Sequence, residues 1–335
     1  MADNKLKTAG RCISVGGQAV MEGVMMQSPE RVAMAVRRTD GKVALTVKPV
    51  KNIAQKYKIL GLPIIRGVVN FVSQMYTGVK MLAESAEMGG MEEEQPSEFE
   101  KKVAAFLHMK PDDVMMICAV LLALVMMIGL FFVIPTGVES LLKRFIENSF
   151  ALNLIGGVLR MAMFLAYVLL VSRMKEIHRV FQYHGAEHKS IFCFESGKEL
   201  TVENAQKFTT LHPRCGTSFL VIVFTISIII FTFLGTDSSN VFMRVGSRLL
   251  LLPVTAGVSY EILKWLGRAA DTPFVRALKL PGLMMQKLTT AQPDDEMVEV
   301  ALIALKAALG MPDAVPEHLR VPEEEAAEEA VENQK

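Results

Sequence analysis

The sequence predicts an α-helical multi-pass membrane protein with four transmembrane helices, a small N-terminal β-hairpin or sheet element, and cytoplasmic helices. Three observations carry this. Hydrophobic residues make up 51% of the 335-residue chain, and the long apolar runs gather between residues 114 and 266. Two alternating apolar runs flank an Asp-Gly pair near the N-terminus. Lys and Arg crowd into one connection between the apolar runs. The net charge of +1 gives no case for nucleic-acid binding. Four cysteines without regular spacing form no disulfide framework, and no cleavable signal peptide is visible at the N-terminus.

In order, residues 12–87 read as a β-hairpin region followed by an interfacial helix. Val32, Met34 and Val36 alternate with small or polar neighbours, as do Val43, Leu45 and Val47 beyond the turn at Thr39-Asp40-Gly41. The preceding GGQAVMEGVMMQ, residues 16–27, has glycines suited to close approach or positive φ. It also resembles a phosphate-cradling loop only weakly, because no Gly-Lys-Ser/Thr follows. Its Glu22 reads either as a further ligand or base, or as a structural carboxylate at a turn. The stretch 62–87 is apolar but studded with Arg66, Asn70, Gln74 and Lys80, which suits a helix lying along a membrane. Residues 88–110 read as an acidic linker.

The membrane domain is expected over 114–266, with spans at 114–134, 151–172, 217–234 and 248–265. The first is uncharged and ends at Pro135. In the second, Arg160 either snorkels to an interface or faces the bundle and pairs with an acid such as Glu261. Glu261 and Lys264, flanked by Tyr260 and Trp265, otherwise read as an interfacial belt. The connection 173–216 carries Arg173, Lys175, Arg179, Lys189, Lys198, Lys207 and Arg214. The positive-inside rule puts it, with both termini, on the cytoplasmic side of the cell membrane. A cytoplasmic helical tail follows over 267–310. Within it 275–288 is amphipathic and interrupted at Pro281-Gly282, and a second helix opens at Asp294-Asp295-Glu296 and closes at Gly310. Residues 311–335 end in an acidic tail expected to be disordered.

The chemistry concentrates in 183–218. The second span is expected to continue as a helix to His188. On it His184-Gly185-Ala186-Glu187-His188 sets two imidazoles four apart on one face with a carboxylate beside them. This is the order H-x-x-E-H, suited to two metal ligands and a base. Further on, His212 and Cys215 lie three apart across Pro213. The set His184, His188, His212 and Cys215 offers three nitrogens and one sulfur, a tetrahedron that Zn²⁺ accepts, with iron the other candidate. The bland alternative is an ordinary helix face with two solvated histidines, and Gly185 weakens that helix by roughly 1 kcal/mol relative to alanine. Thr201 is placed to cap a short helix over 202–208.

The segments GGQAVMEGVMM at 16–26, YHGAEHK at 183–189, LTVEN at 200–204, HPRCGTSF at 212–219 and PGLMMQKLTT at 281–290 resemble the YqhQ-like family of bacterial membrane proteins. The resemblance runs over roughly residues 12–310. That family is catalogued as a domain of unknown function and described as a predicted metal-dependent enzyme. The resemblance implies metal-ligand roles for His184, His188, His212 and Cys215.

Three functions are therefore weighed. One is a zinc hydrolase at the cytoplasmic membrane face with Glu187 as base, which needs an open coordination position. The second is a non-enzymatic protein in which a closed zinc site staples the loop, acting in membrane-protein assembly or envelope maintenance. A transporter with Arg160 and Glu261 in its path is third. The partners implied are the lipid bilayer and either a membrane-protein complex or a second copy of the chain in a homo-oligomer.

Overall fold

The computed structural model describes residues 15–50, 62, 65–90, 97–213, 215–234, 241–270, 272–312 and 314–320. The acidic tail over 322–335, linker residues 91–96, and Arg214 lie outside the described residues.

Alternating residues at the N-terminus build four strands, β1 (Gly16–Val20), β2 (Gly23–Gln27), β3 (Arg31–Arg37) and β4 (Val43–Pro49). They form an antiparallel meander in that order. The hairpin expected around Asp40-Gly41 is β3–β4, with Gly41 at φ +85° and the Lys42 amide donating to Asp40 Oδ1 at 2.9 Å. The glycine-rich stretch before it is not a phosphate loop. It is a second hairpin, β1–β2, whose backbone is consumed by strand pairing. The period of two gives the sheet two apolar faces. Val24, Met26, Ala33 and Ala35 enter the main core, and Val20, Met25, Met34 and Val36 face the other way.

The second face meets α1 (Ile65–Met88), through Met81 and Met88. The far end of α1 reaches the membrane-type helices. Arg66 pairs with Glu261, and Asn70 donates to the Tyr260 hydroxyl at 2.9 Å. This helix therefore bridges the sheet and the apolar bundle. Next come α2 (Glu98–Leu107) and α3 (Pro111–Ile128), then a π-helical turn, Gly129–Val133, leading into α4 (Ile134–Leu142). The first apolar run does not end at Pro135. Ile134 already bonds back to the Gly129 carbonyl, and the wider turn lets proline sit at the start of α4, where its missing N–H costs nothing.

Next is α5 (Ser149–Val171), capped by Asn148, whose side chain accepts from the Ala151 amide at 3.2 Å. The helix does not continue to His188. Ser172 donates to the Leu169 carbonyl at 2.8 Å, Met174 turns extended at ψ 135°, and α6 (Lys175–Glu195) starts afresh. The break lets α6 turn its apolar face to the sheet. Short α7 (Val202–Gln206) is capped by Thr201 as expected. The remaining helices are α8 (Thr217–Leu234), α9 (Val241–Arg268), α10 (Pro273–Thr289) and α11 (Asp295–Ala308). Contrary to the expected interruption, α10 runs unbroken through Pro281. Asp294 caps α11 through the Met297 amide at 2.8 Å, and Gly310 follows its end at φ +71°.

Three helical stretches among the described residues are long and apolar enough to cross a membrane: Asp113–Leu142, Ser149–Val171 and Val245–Gly267. The expected third span, in α8, contains a shorter apolar stretch, Phe219–Phe233. The first stretch leaves Leu121, Leu122, Val125 and Met126 exposed, a surface suited to lipid contact. Helix α8 packs against α5, α9 and α10.

Arg160 faces the bundle, but its partner is not Glu261, which Arg66 has taken. Arg160 donates to Glu139 Oε1 at 2.7 Å, and Arg248 donates to Glu139 Oε2 at 2.7 Å and to Thr136 Oγ1 at 2.7 Å. All four side chains are buried. Glu139 lies directly over Gly156, where a Cβ would fall 1.5 Å from Oε1. One carboxylate thus ties α4, α5 and α9 together.

Candidate metal centre

The main core joins the sheet to α6 and α11 through Tyr183, Ala186 and Ile191 on one side and Met297, Ala301, Leu302 and Leu305 on the other. This fixes α6, and with it the face that carries His184 and His188. Both rings are oriented from behind by a backbone carbonyl. His184 Nδ1 donates to the Thr289 carbonyl at 2.8 Å, and His188 Nδ1 donates to the Thr210 carbonyl in a short bond. Both Nε2 lone pairs are then left to face inward, the usual arrangement behind a metal-bound histidine. Cys215 closes the cluster. Its Sγ lies 3.2 Å from His184 Nε2, and one ligand atom from each of His184, His188 and Cys215 lies within 4.8 Å of the others.

The donor set fits a zinc ion on two grounds. Two imidazole nitrogens and a thiolate are ligands zinc accepts. His188 Nε2 is buried yet has no hydrogen-bond partner, a deficiency a bound cation would remove. Burial also pushes the His188 ring below its ordinary value, opposed by the adjacent Cys215, so the ring is neutral and free to ligate.

Glu187 sits beside the cluster, with Oε2 3.8 Å from His184 Nε2. Burial pushes its carboxyl above the usual range, and His184, His212 and the Gly17 amide, which donates to it, act against that shift. Gly17 leaves no room for a side chain, since a Cβ there would fall 2.8 Å from Glu187 Cγ.

His212 stands apart from the three-residue group. Its backbone is clamped by Gln286, which accepts from the His212 amide at 2.8 Å and donates to its carbonyl at 2.8 Å. Its ring packs against Phe192, with Nε2 3.5 Å from Glu195 Oε2. Glu22 occupies the β1–β2 turn at φ 49° and holds Arg179 by two 2.5 Å bonds. Lys189, expected among the basic loop charges, is buried and donates to the Gln206 and Phe208 carbonyls at 2.8 and 2.7 Å.

Residue types alone did not assign roles to Gly17, Gln286 and Thr289. They fall within the segments at 16–26 and 281–290, and the fold explains why those segments matter: both end at the same cluster. Gly185 has a similar explanation. A Cβ there would fall 2.2 Å from the Ala291 carbonyl oxygen, so the glycine is needed for the chain after α10 to pass α6. Gly185→Ala is expected to destabilise the protein by roughly 1–3 kcal/mol and to lower zinc retention, because it displaces the chain just beyond Thr289. Thermal unfolding in detergent, read beside metal analysis, checks both effects.

Fold and cluster together define a mostly helical protein with a small antiparallel sheet, three stretches long and apolar enough to cross a membrane, and a histidine–cysteine cluster. The family described as "Protein of unknown function (DUF1385)" matches residues 62–311, and the chain belongs to it. The chain is similar to "Uncharacterized protein YqhQ" of Bacillus subtilis (strain 168), with 35% identity over 291 residues, 86% of this chain and 89% of that protein. No solved structure matches.

Proposed function

We propose that the protein is a zinc-dependent, membrane-bound hydrolase working at the cytoplasmic membrane face, with Glu187 as the base. The supporting observation is the three-residue cluster of His184, His188 and Cys215, with His212 turned toward Glu195. Three protein ligands leave a position open, which a catalytic zinc requires. A bound zinc ion there supplies Lewis acidity, making water a competent nucleophile near neutral pH. The Thr289 and Thr210 carbonyls hold the His184 and His188 rings with their Nε2 atoms toward the cluster. The Glu187 carboxylate, within one water of the cluster, takes a proton from the attacking water and returns it to the leaving group. Its raised affinity for protons suits that role.

In the topology we propose, α8 crosses together with the three longer stretches. The termini and the 173–216 connection then lie in the cytoplasm, where Cys215 stays reduced.

A second reading is favoured by one contact. The His188 and His212 rings are 5.6 Å apart, so a modest turn of His212 would supply a fourth ligand and close the site. Such a site is structural, stapling the loop of a protein that assembles with other membrane proteins or with itself.

Glu187→Gln separates the two. It is expected to keep its zinc and to lower hydrolysis of a responsive lipid ester, phosphoester or juxtamembrane peptide by about 10²–10⁴-fold. Unchanged turnover in that variant would remove Glu187 from the chemistry.

A further inference from the structure

One cavity lies beside the metal centre and is not used by it. A cleft of about 590 Å³ opens between α8, α9 and α10. That volume suits a drug-sized or lipid-sized guest. Its walls include Val221 and Ile229 of α8, Leu266 of α9, and Phe274 and Leu278 of α10. Apart from Thr225, Lys279 and the Trp265 indole, every lining side chain is apolar. Thr225 already donates to the Val221 carbonyl at 2.8 Å, so it asks nothing of a guest. Lys279 is half-buried in the wall, and no acid among the described residues pairs with it.

The position of the cleft narrows its occupant. The α9 wall is the last turn of the stretch Val245–Gly267, one of those long enough to span a membrane. Trp265 marks that end as the headgroup level. The cleft also touches the metal loop, because Pro213, between His212 and Cys215, is one of its walls. Helix α10 joins the two places: Pro281 and Gly282 line the cleft, and Gln286, about 6 Å further along the axis, clamps His212.

We infer that this cleft binds an acyl chain of an anionic phospholipid, with Lys279 taking the phosphate. The inference rests on the membrane-enzyme reading above and gives that centre its substrate class. The lipid's chain fills the apolar wall, and its ester region lies toward Pro213 and the cluster. An apolar wall and a cation that no acid among the described residues pairs with, at the headgroup level, are complementary to that lipid.

Trp265 is the chain's only tryptophan, so its fluorescence reports on the cleft directly. Delipidated protein in detergent is titrated with phosphatidylglycerol or phosphatidylcholine carrying dibrominated acyl chains. Wild type is expected to show saturable quenching near one lipid per chain, at least tenfold tighter for phosphatidylglycerol. Ala277→Phe, which fills the cleft, removes the saturable phase. Leu278→Asn, at an exposed position, weakens it without threatening the fold. Lys279→Glu abolishes the anionic preference and keeps the quenching. Quenching that only tracks bulk lipid fraction, or that persists unchanged in Ala277→Phe, overturns the inference, as does equal binding of the two headgroups. The readout does not pass through the metal. Saturable quenching retained in metal-free protein leaves the cleft standing where the enzyme reading fails. Its absence in zinc-loaded wild type sinks the cleft alone.

Discussion

His188→Ala is expected to leave the purified protein with little or no zinc, whereas wild type is expected to carry about one ion per chain. Of the three candidate ligands, His188 has the least alternative use. It is buried, neutral, fixed by the Thr210 carbonyl, and its Nε2 has no other partner. Losing groups that only orient a ligand costs about 10–100-fold in metal affinity, and losing the ligand itself costs more. Cys215→Ala is expected to act in the same direction, because it removes the only sulfur in the group. His212→Ala discriminates. With His212 outside the centre, zinc content is kept. If it falls as in His188→Ala, four residues hold the ion and the closed, structural reading gains. Metal analysis after gel filtration in a chelator-containing buffer measures all three variants.

The largest loss of stability is expected far from that centre. Glu139→Ala leaves Arg160 and Arg248 buried together without their shared carboxylate. Removing one partner of a buried ion pair costs about 3–5 kcal/mol, and two guanidiniums then also repel each other. The cluster joins α4, α5 and α9, so the expected result is loss of bundle packing rather than a local defect. Reversible unfolding in mixed detergent micelles gives the number. Pairing Glu139→Ala with Arg248→Met removes one unmatched charge and is expected to recover part of the loss. A double variant as unstable as Glu139→Ala alone would contradict the electrostatic origin. Glu139→Gln is the milder control, since Gly156 leaves room for a side chain of that shape.

The parts of this molecule legible in its sequence are those set by local periodicity. The β3–β4 hairpin follows from alternation around Asp40-Gly41, and His184 and His188 share a helix face because they are four apart. The caps at Thr201 and Asp294 follow from side chains that accept amides three residues on. What was not legible depends on distant partners. The backbone of His212 is held by Gln286, which lies 74 residues away, and its ring packs against Phe192 and Glu195. Glu139 is not legible because Pro135 reads as a helix end, and only the π-helical turn carries the helix beyond it. For Arg160 the sequence leaves both snorkelling and pairing open, with Glu261 the acid it suggests, and an apolar sequence does not say which acid the helix packing will deliver. Nor does spacing distinguish Lys189, folded inward to two carbonyls, from the solvent-facing cations of the same segment.

The central claim is an open three-residue zinc centre. X-ray absorption at the zinc edge, on detergent-purified wild-type protein, tests it most directly. The expected spectrum has one sulfur and two imidazole nitrogens, with a light oxygen in the remaining position and no change in His212→Ala. One sulfur with three imidazoles, altered in His212→Ala, would contradict the open centre and make the zinc structural. Protein that binds no metal under any loading condition would contradict the centre altogether.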